Sequence, residues 1–132
     1  MDLAKNFPRS PYDMLAGVVM LPRTIDKARA SNAGTLGEYH YNCPLDKKVL
    51  EFFGISAGEF AKKVRELKSD EKITGWLSGR KTQKEKDAFN SMMRHLGPDT
   101  PEKKAWLREQ IRAHGKHVTT YFDNLDADEK RL

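Results

Sequence analysis

The sequence has 132 residues, of which 38% are hydrophobic and 33% are charged, and its net charge is +5. This length suits one domain whose core needs no disulfide or metal, and the lone cysteine excludes an internal disulfide. The longest apolar run, MLAGVVML, is far below the ~20 residues that span a bilayer, and no secretory signal is recognisable. We therefore expect residues 1–132 to form a single cytoplasmic domain without a membrane partner.

The first part of the chain predicts a helix capped by the Ser10 hydroxyl, with Pro11 in the first turn, where its missing N–H costs nothing. Pro22 is expected to break or kink this helix, and a second helical segment runs on toward Gly34. Four residues would form the apolar stripe of the first part: Met14, Leu15, Val18 and Val19.

Two further helices follow after an irregular stretch. One is predicted to begin at Pro44 and to end at Gly54. The next has the clearest start in the chain, because Ser56 and Glu59 match a capping box in which each side chain bonds the other residue's amide. This helix should run to about residue 68.

The rest of the chain also carries residues that start and end helices. A short helix is predicted over residues 70–78, and a second capping box, Thr82 with Glu85, opens the helix after it. The apolar residues of that helix are Phe89, Met92, Met93 and Leu96. A helix is predicted over 101–114. The tail after it is expected to supply Tyr121, Phe122 and Leu125 to the core, and its highly charged end is expected to fray. The sequence thus predicts an all-α domain of six or seven short helices.

Three stretches of the chain together resemble a known family. They are PRSPYDMLAGVVMLPRTIDKARASNAGTLGEYHYNCPLD, FFGISAGEF and VTTYFDNLDADE. They are similar to the bacterial family known as domain of unknown function 5069, and the resemblance covers nearly the whole chain. It implies a small, stand-alone, mostly helical bacterial protein. It implies no reaction, cofactor or catalytic residue.

The segment from 33 to 43, AGTLGEYHYNC, has no helical stripe, and it predicts an irregular loop or a minimal strand around 39–43. Loops held by a rigid scaffold are favoured places for function. Cys43 directly precedes Pro44, so we expect it at a helix N-cap, where free amides and the helix dipole would stabilise a thiolate. The alternative is that Cys43 is a small buried hydrophobe, as free cysteines usually are.

Charged neighbours decide whether such a thiol would react. Three cations of the preceding segment, Arg23, Lys27 and Arg29, would favour the thiolate, whereas Asp46 in the first turn of the next helix would oppose it. Glu38 or His40 would then move a proton. The catalytic residues of this enzyme hypothesis are Cys43, Glu38 and His40.

The same region also suits a ligand pocket without covalent chemistry. Arg23 and Lys27 are four residues apart and share a helix face that would attract an anion, and Tyr39 and Tyr41 would supply flat walls. The predicted ligand-binding residues are Arg23, Asp26, Lys27, Arg29, Tyr39, Tyr41 and Asp46. The alternative is structural: Asp26 and Arg29, three apart, form a surface pair, and the tyrosines fasten the loop to the core.

Metal and cofactor binding are not expected. His114 and His117 are three apart, but Gly115 lies between them and a third ligand, such as His95, would be needed. Histidines near a helix end more often interact with its carbonyl groups. We therefore predict no metal and no cofactor.

Nucleic acid is not an expected partner either. Basic residues are interleaved with acids, and even the densest run, GRKTQKEK, contains Glu85, which is typical of a solvated helix face. The helices over 44–53 and 57–68 imitate a helix-turn-helix. However, the second helix begins with Ala57, Gly58 and Glu59, and none of these offers a bidentate base contact.

The leading hypothesis is therefore a small protein that binds a polar or anionic small molecule in a pocket around residues 23–46. An enzyme that uses Cys43 as a reactive thiol is the first alternative, and a helix-turn-helix-like module for nucleic acid or protein is the second. The sequence leaves the ligand and the oligomeric state open.

Overall fold

The computed structural model describes residues 2–97, 101–114 and 120–131. Within these ranges the chain forms seven helices and one two-stranded sheet, so the all-α prediction is confirmed. In chain order the elements are β1 (Met14–Leu15), β2 (Val18–Val19), α1 (Leu21–Ala33), α2 (Pro44–Phe53), α3 (Ala57–Leu67), α4 (Asp70–Leu77), α5 (Gln83–His95), α6 (Pro101–His114) and α7 (Tyr121–Asp128).

The first predicted helix is wrong, because its apolar residues form the hairpin of β1 and β2. The strands are antiparallel, and the turn between them consists of Ala16 and Gly17, both with positive φ (53° and 75°). Two central residues in this conformation give the turn whose twist matches a hairpin. The side chain of Asn90 on α5 holds the hairpin, since it accepts from the Val19 amide at 3.0 Å and donates to the Gly17 carbonyl at 2.9 Å.

α1 lies at the centre of the fold. Pro22 stands in its first turn instead of interrupting a longer helix, and Gly34 ends it with a φ of 70°. The helix contacts α2, α3 and β1, so most of its surface is buried, including charged side chains. Buried charges need partners, and α1 therefore dictates where cations and carboxylates of other elements must lie.

The predicted starts of α2, α3 and α5 are confirmed, whereas Ser10 caps no helix. α2 begins at Pro44, and Ser56 Oγ accepts from the amide of Glu59 at 3.1 Å at the start of α3. The box that opens α5 is complete, because Thr82 and Glu85 each accept from the other's amide at 3.1 Å. These signals act within one helical turn and do not depend on the rest of the fold.

Three segments refine the expectations from the sequence. Phe89 and Met93 of α5 are buried, whereas Met92 on the same helix is exposed. Of the two alternatives for residues 39–43 the irregular loop is confirmed, since they form no strand and residues 41 and 42 lie in a turn. The tail does not fray after Leu125, because α7 continues and Glu129 is only 3% exposed.

Gly37 marks the close approach of the irregular loop to the N-terminal segment. A Cβ at this position would lie 2.9 Å from Ala4 Cα, and φ is +61°. Gly34 has a similar φ of +70°, but nothing lies within 4 Å of its Cβ position. We expect Gly34→Ala to lower the free energy of unfolding by about 1–2 kcal/mol through backbone strain, and Gly37→Ala by about 1–2 kcal/mol more through overpacking.

Urea unfolding followed by circular dichroism measures both variants. Because the backbone strain is similar in the two variants, the difference between their losses of unfolding free energy isolates the contact between the loop and residues 3–4. Equal losses would contradict the close approach.

Candidate functional site

Arg23 forms a buried ion pair with the end of the chain. Its side chain is 2% exposed, and its two terminal nitrogens donate to the two carboxylate oxygens of Glu129 at 2.8 and 2.6 Å. Tyr39 donates its hydroxyl to the same carboxylate at 2.7 Å, and Arg131 also bonds it. Arg23 and Tyr39 are thus brought together around a carboxylate of the protein itself.

The electrostatics of this cluster follow from its burial. Burial would raise the pKa of Glu129, but the hydrogen bonds and charge of Arg23, with smaller contributions from Tyr39 and Arg131, outweigh it and hold the pKa below its ordinary value. Burial, and then the bond to Glu129, raise the pKa of Tyr39. Glu129 is therefore an ionised group that fastens the C-terminal segment to α1.

Lys27 and Asp46 form a second buried pair, which joins α1 to α2. Lys27 is 4% and Asp46 0% exposed, and Lys27 Nζ lies 2.8 Å from Asp46 Oδ2. The Thr24 hydroxyl donates to Asp46 Oδ1 at 2.8 Å, and the amides of Asn42 and Cys43 donate to Oδ2 at 3.0 and 3.3 Å. Asp46 therefore both caps the start of α2 and neutralises Lys27.

Asp26 and Arg29 belong to a third cluster. They are 3.7 Å apart, but Arg9 from the N-terminal segment contacts Asp26 more closely, with its Nε and backbone amide at 3.1 and 2.9 Å from Oδ2. Asp70 at the start of α4 bridges Arg9 (2.7 Å) and Arg29 (2.8 Å). The Arg9 hydrogen bond is the main reason why the pKa of Asp70 lies below its ordinary value. The predicted i, i+3 pair is thus one edge of a four-residue network.

The other predicted residues lie apart from these clusters. Glu38 and His40 are exposed, and Tyr41 donates its hydroxyl to the backbone carbonyl of Ala57 at 2.7 Å. Burial, which dominates, and the charge of Asp46 raise the pKa of Tyr41. The charged face predicted for an anion is therefore occupied by protein groups, and this placement argues against direct ligand contact there.

Cys43 also stays partly accessible. It is the N-cap of α2, as expected, and its side chain is half-buried. Lys27 Nζ lies 3.2 Å from Cys43 Sγ and donates to it. The group that touches the thiol is therefore a buried lysine from α1.

Cys43 lies in the wall of a cleft of about 630 Å³ between the start of α2 and the helices α6 and α7. Small-molecule sites are usually clefts of about 300–1,000 Å³ with mostly apolar walls and a few polar groups. The apolar wall here includes Leu45, Leu96, Trp106 and Leu125, and the polar groups include Cys43, Lys48, Lys103 and Asn124. We call this space the α2–α7 cleft.

Asn124 is the polar group of the cleft that most needs a partner. Its side chain is 7% exposed, and within the part of the chain that the structure describes its Oδ1 accepts no hydrogen bond. A buried acceptor without a donor costs about 1–3 kcal/mol, so such groups usually have a partner. Oδ1 has essentially no accessible surface, so a molecule in the cleft does not reach it while the side chain keeps this position.

Sequence reasoning missed the residues that complete these groups. Glu129, Arg9 and Asn124 come from segments more than a dozen residues away from the groups they serve. The one local signal near them is Thr120, which caps α7 by accepting from the Asp123 amide at 3.1 Å. That cap could have indicated a helix in the tail.

The described part of the chain shows neither a metal-binding cluster nor a membrane-spanning helix. Among the described side chains no group of three or more His, Cys, Asp or Glu is placed to hold a metal ion. His117 and the side chain of His114 lie outside the described residues, and His95 Nδ1 lies 2.8 Å from the Ser91 carbonyl oxygen. No helix within the described ranges is long and apolar enough to cross a membrane.

Comparison with known proteins supplies the family. Residues 5–131 match the family described as "Domain of unknown function (DUF5069)", which confirms the resemblance carried by the three sequence stretches. A search of curated proteins finds no match. The family description states no activity, so the chemistry of the α2–α7 cleft has to be argued from its geometry.

Proposed function

We propose that this chain, which belongs to the DUF5069 family, binds a small amphipathic organic anion in the α2–α7 cleft. The observation that carries the proposal is the cleft itself, of about 630 Å³, whose wall combines apolar side chains such as Trp106 with the cations Lys48 and Lys103. The site adjoins the region 23–46 predicted from the sequence, but it meets that region only at Cys43, Pro44 and Leu45.

The apolar wall determines the body of the ligand. Trp106 is 43% exposed and lies 6.2 Å from the Tyr121 ring, so an apolar chain bound here would cover surface that now faces water. Burying apolar surface contributes roughly 25 cal/mol for each Å². A ligand with a hydrocarbon portion of several carbons suits this wall.

The polar groups determine the rest of the ligand. Lys48 on α2 and Lys103 on α6 both line the cleft and favour a negative charge. The proposed class is therefore an amphipathic anion.

Trp106 provides the measurement, because Trp76 is the only other tryptophan in the chain. In a Trp76→Phe background, tryptophan fluorescence reports the cleft while 3-hydroxydecanoate or decanoate is added. We expect both probes to change the emission.

A matched pair of lysine variants tests the charge. Lys48→Ala removes a cation from the cleft and should weaken binding by up to about fivefold. Lys63→Ala removes the same charge from α3, where it pairs with Glu66 at 3.7 Å, and should leave binding unchanged. Unchanged emission with both probes, or equal effects of the two variants, would contradict the proposed function.

A further inference from the structure

We propose that the ligand of the α2–α7 cleft is an N-acyl amino acid with an apolar side chain, and that this side chain lies on a strip of apolar surface beside the cleft. This inference rests on the proposed function and names its ligand class. In such a molecule the carboxylate stands between two apolar groups, the acyl chain and the amino-acid side chain. The protein surface has the complementary order, because Lys48 lies between two apolar areas.

Lys48 is the cation that divides the apolar surface. It is half-buried on α2 and lines the cleft, and within residues 2–97, 101–114 and 120–131 it belongs to no ion pair. Leu45, three residues before it, also lines the cleft, whereas Phe52, four residues after it, lies outside the cleft. Residues at this spacing share one face of a helix. A carboxylate at Lys48 would therefore have apolar surface on both sides.

The second apolar area continues from the cleft along α2 and α5. The start of α2 and Leu96, just after the end of α5, both border the cleft. Towards the other end of α2, the ring of Phe52 stacks on that of Phe89 of α5 with 4.4 Å between the centroids. The two helices therefore run antiparallel. Met92, which lies between Phe89 and Leu96 in the chain, is then level with Lys48 of α2.

Met92 and Phe52 form the apolar surface that we call the α2–α5 strip. Met92 is 44% exposed and Phe52 is half-buried, so a ligand side chain placed here would cover apolar surface that now faces water. Lys81 closes the far end of the strip, because its Nζ lies 5.1 Å from the centre of the Phe52 ring and 3.5 Å from Glu85. Since Lys81 already pairs with Glu85, we place the ligand carboxylate at Lys48.

N-decanoylglycine and N-decanoyl-leucine are the probes, and Trp106 emission in the Trp76→Phe background is the measurement. We expect the leucine conjugate to bind about three- to tenfold more tightly, because its side chain is partly buried on the α2–α5 strip. Met92→Ser should reduce this preference to less than about twofold, since it removes apolar surface of the strip. Met14→Ser is the matched control: it removes a methionine that is 54% exposed on the hairpin, and it should leave the preference unchanged.

A neutral probe tests the position of the carboxylate. N-decanoyl-leucinamide lacks the charge and should bind the natural chain about two- to fivefold more weakly than N-decanoyl-leucine. Lys48→Ala should bind the two about equally, whereas Lys63→Ala should keep the difference.

Decanoate separates this inference from the proposed function. If decanoate binds but the leucine preference is absent or survives Met92→Ser, the ligand class is wrong and the proposed function stands. A charge difference that persists in Lys48→Ala would overturn the inference in the same way. If neither decanoate nor the conjugates change the emission of Trp106, both proposals fail.

Discussion

Glu129→Gln is expected to lower the free energy of unfolding by about 3–5 kcal/mol. Glutamine keeps the size of the side chain but removes the charge that neutralises Arg23, whose guanidinium is 2% exposed. Breaking a buried pair on one side leaves an uncompensated buried charge, which costs far more than the pair itself contributes. Urea unfolding at neutral pH measures the loss.

Two controls isolate the buried pair. Glu66→Gln removes a carboxylate that pairs with exposed lysines of α3 and should change stability by no more than about 0.5 kcal/mol. Replacing both partners, Arg23→Met with Glu129→Leu, should recover most of the loss because no charge remains buried. A loss below about 1 kcal/mol for Glu129→Gln would contradict the buried pair.

The same carboxylate predicts a pH dependence. The pKa of Glu129 is lower in the folded chain than its ordinary value of 4.5, so its contribution to stability is fully present above pH 4.5 and is lost as the pH falls through the folded pKa. Asp126 has the opposite effect on the pH dependence of stability, because burial raises its pKa. We expect the natural chain to lose stability below pH 4.5 more steeply than Glu129→Gln does. Parallel curves would contradict this assignment.

Asp46→Asn is expected to cost about 3 kcal/mol or more, because it leaves the buried Lys27 ammonium without its counter-charge. It also disturbs the carboxylate that accepts from Thr24 and from the first amides of α2. Asp87→Asn is the matched control, since Asp87 is an exposed carboxylate that accepts from Gln83 at 2.8 Å. It should change stability by no more than about 0.5 kcal/mol.

A double-mutant cycle with Lys27→Met tests whether the pair acts as a unit. The coupling between the two sites should exceed about 1 kcal/mol, because residues that share a buried contact are not additive. Additive losses would mean that Asp46 acts only as the cap of α2. Lys27 also touches Cys43, so this pair fixes the position of the cation beside the thiol.

These ion pairs explain why the proposed cleft does not lie at the ligand-binding residues predicted from the sequence. Arg23, Asp26 and Lys27 are charged residues on one helix, and their spacing is that of an exposed face. The fold instead buries them and supplies Glu129, Arg9 and Asp46 as partners. Their role in the structure is to hold α1, α2 and the C-terminal segment together, which forms the cleft beside Cys43.

Local signals were sufficient for most helices. The caps Ser56 and Thr82 and the proline that starts α2 act on backbone amides within one turn, so the sequence alone determined where these helices begin. The hairpin was missed because the spacing of Met14, Leu15, Val18 and Val19 also suits a helix face. The amide of Asn90, which holds the hairpin, lies 71 residues from Val19 in the chain.

In the candidate site, too, the sequence determines some features and the tertiary structure determines others. The sequence by itself determined that Cys43 is the N-cap of a helix, because Pro44 follows it. Only the tertiary structure decided that Lys27 touches the sulfur and that Asn124 lines the same cleft. Capping depends on hydrogen bonds between neighbours in the chain, whereas the partner of a buried charge or amide depends on which helices pack together.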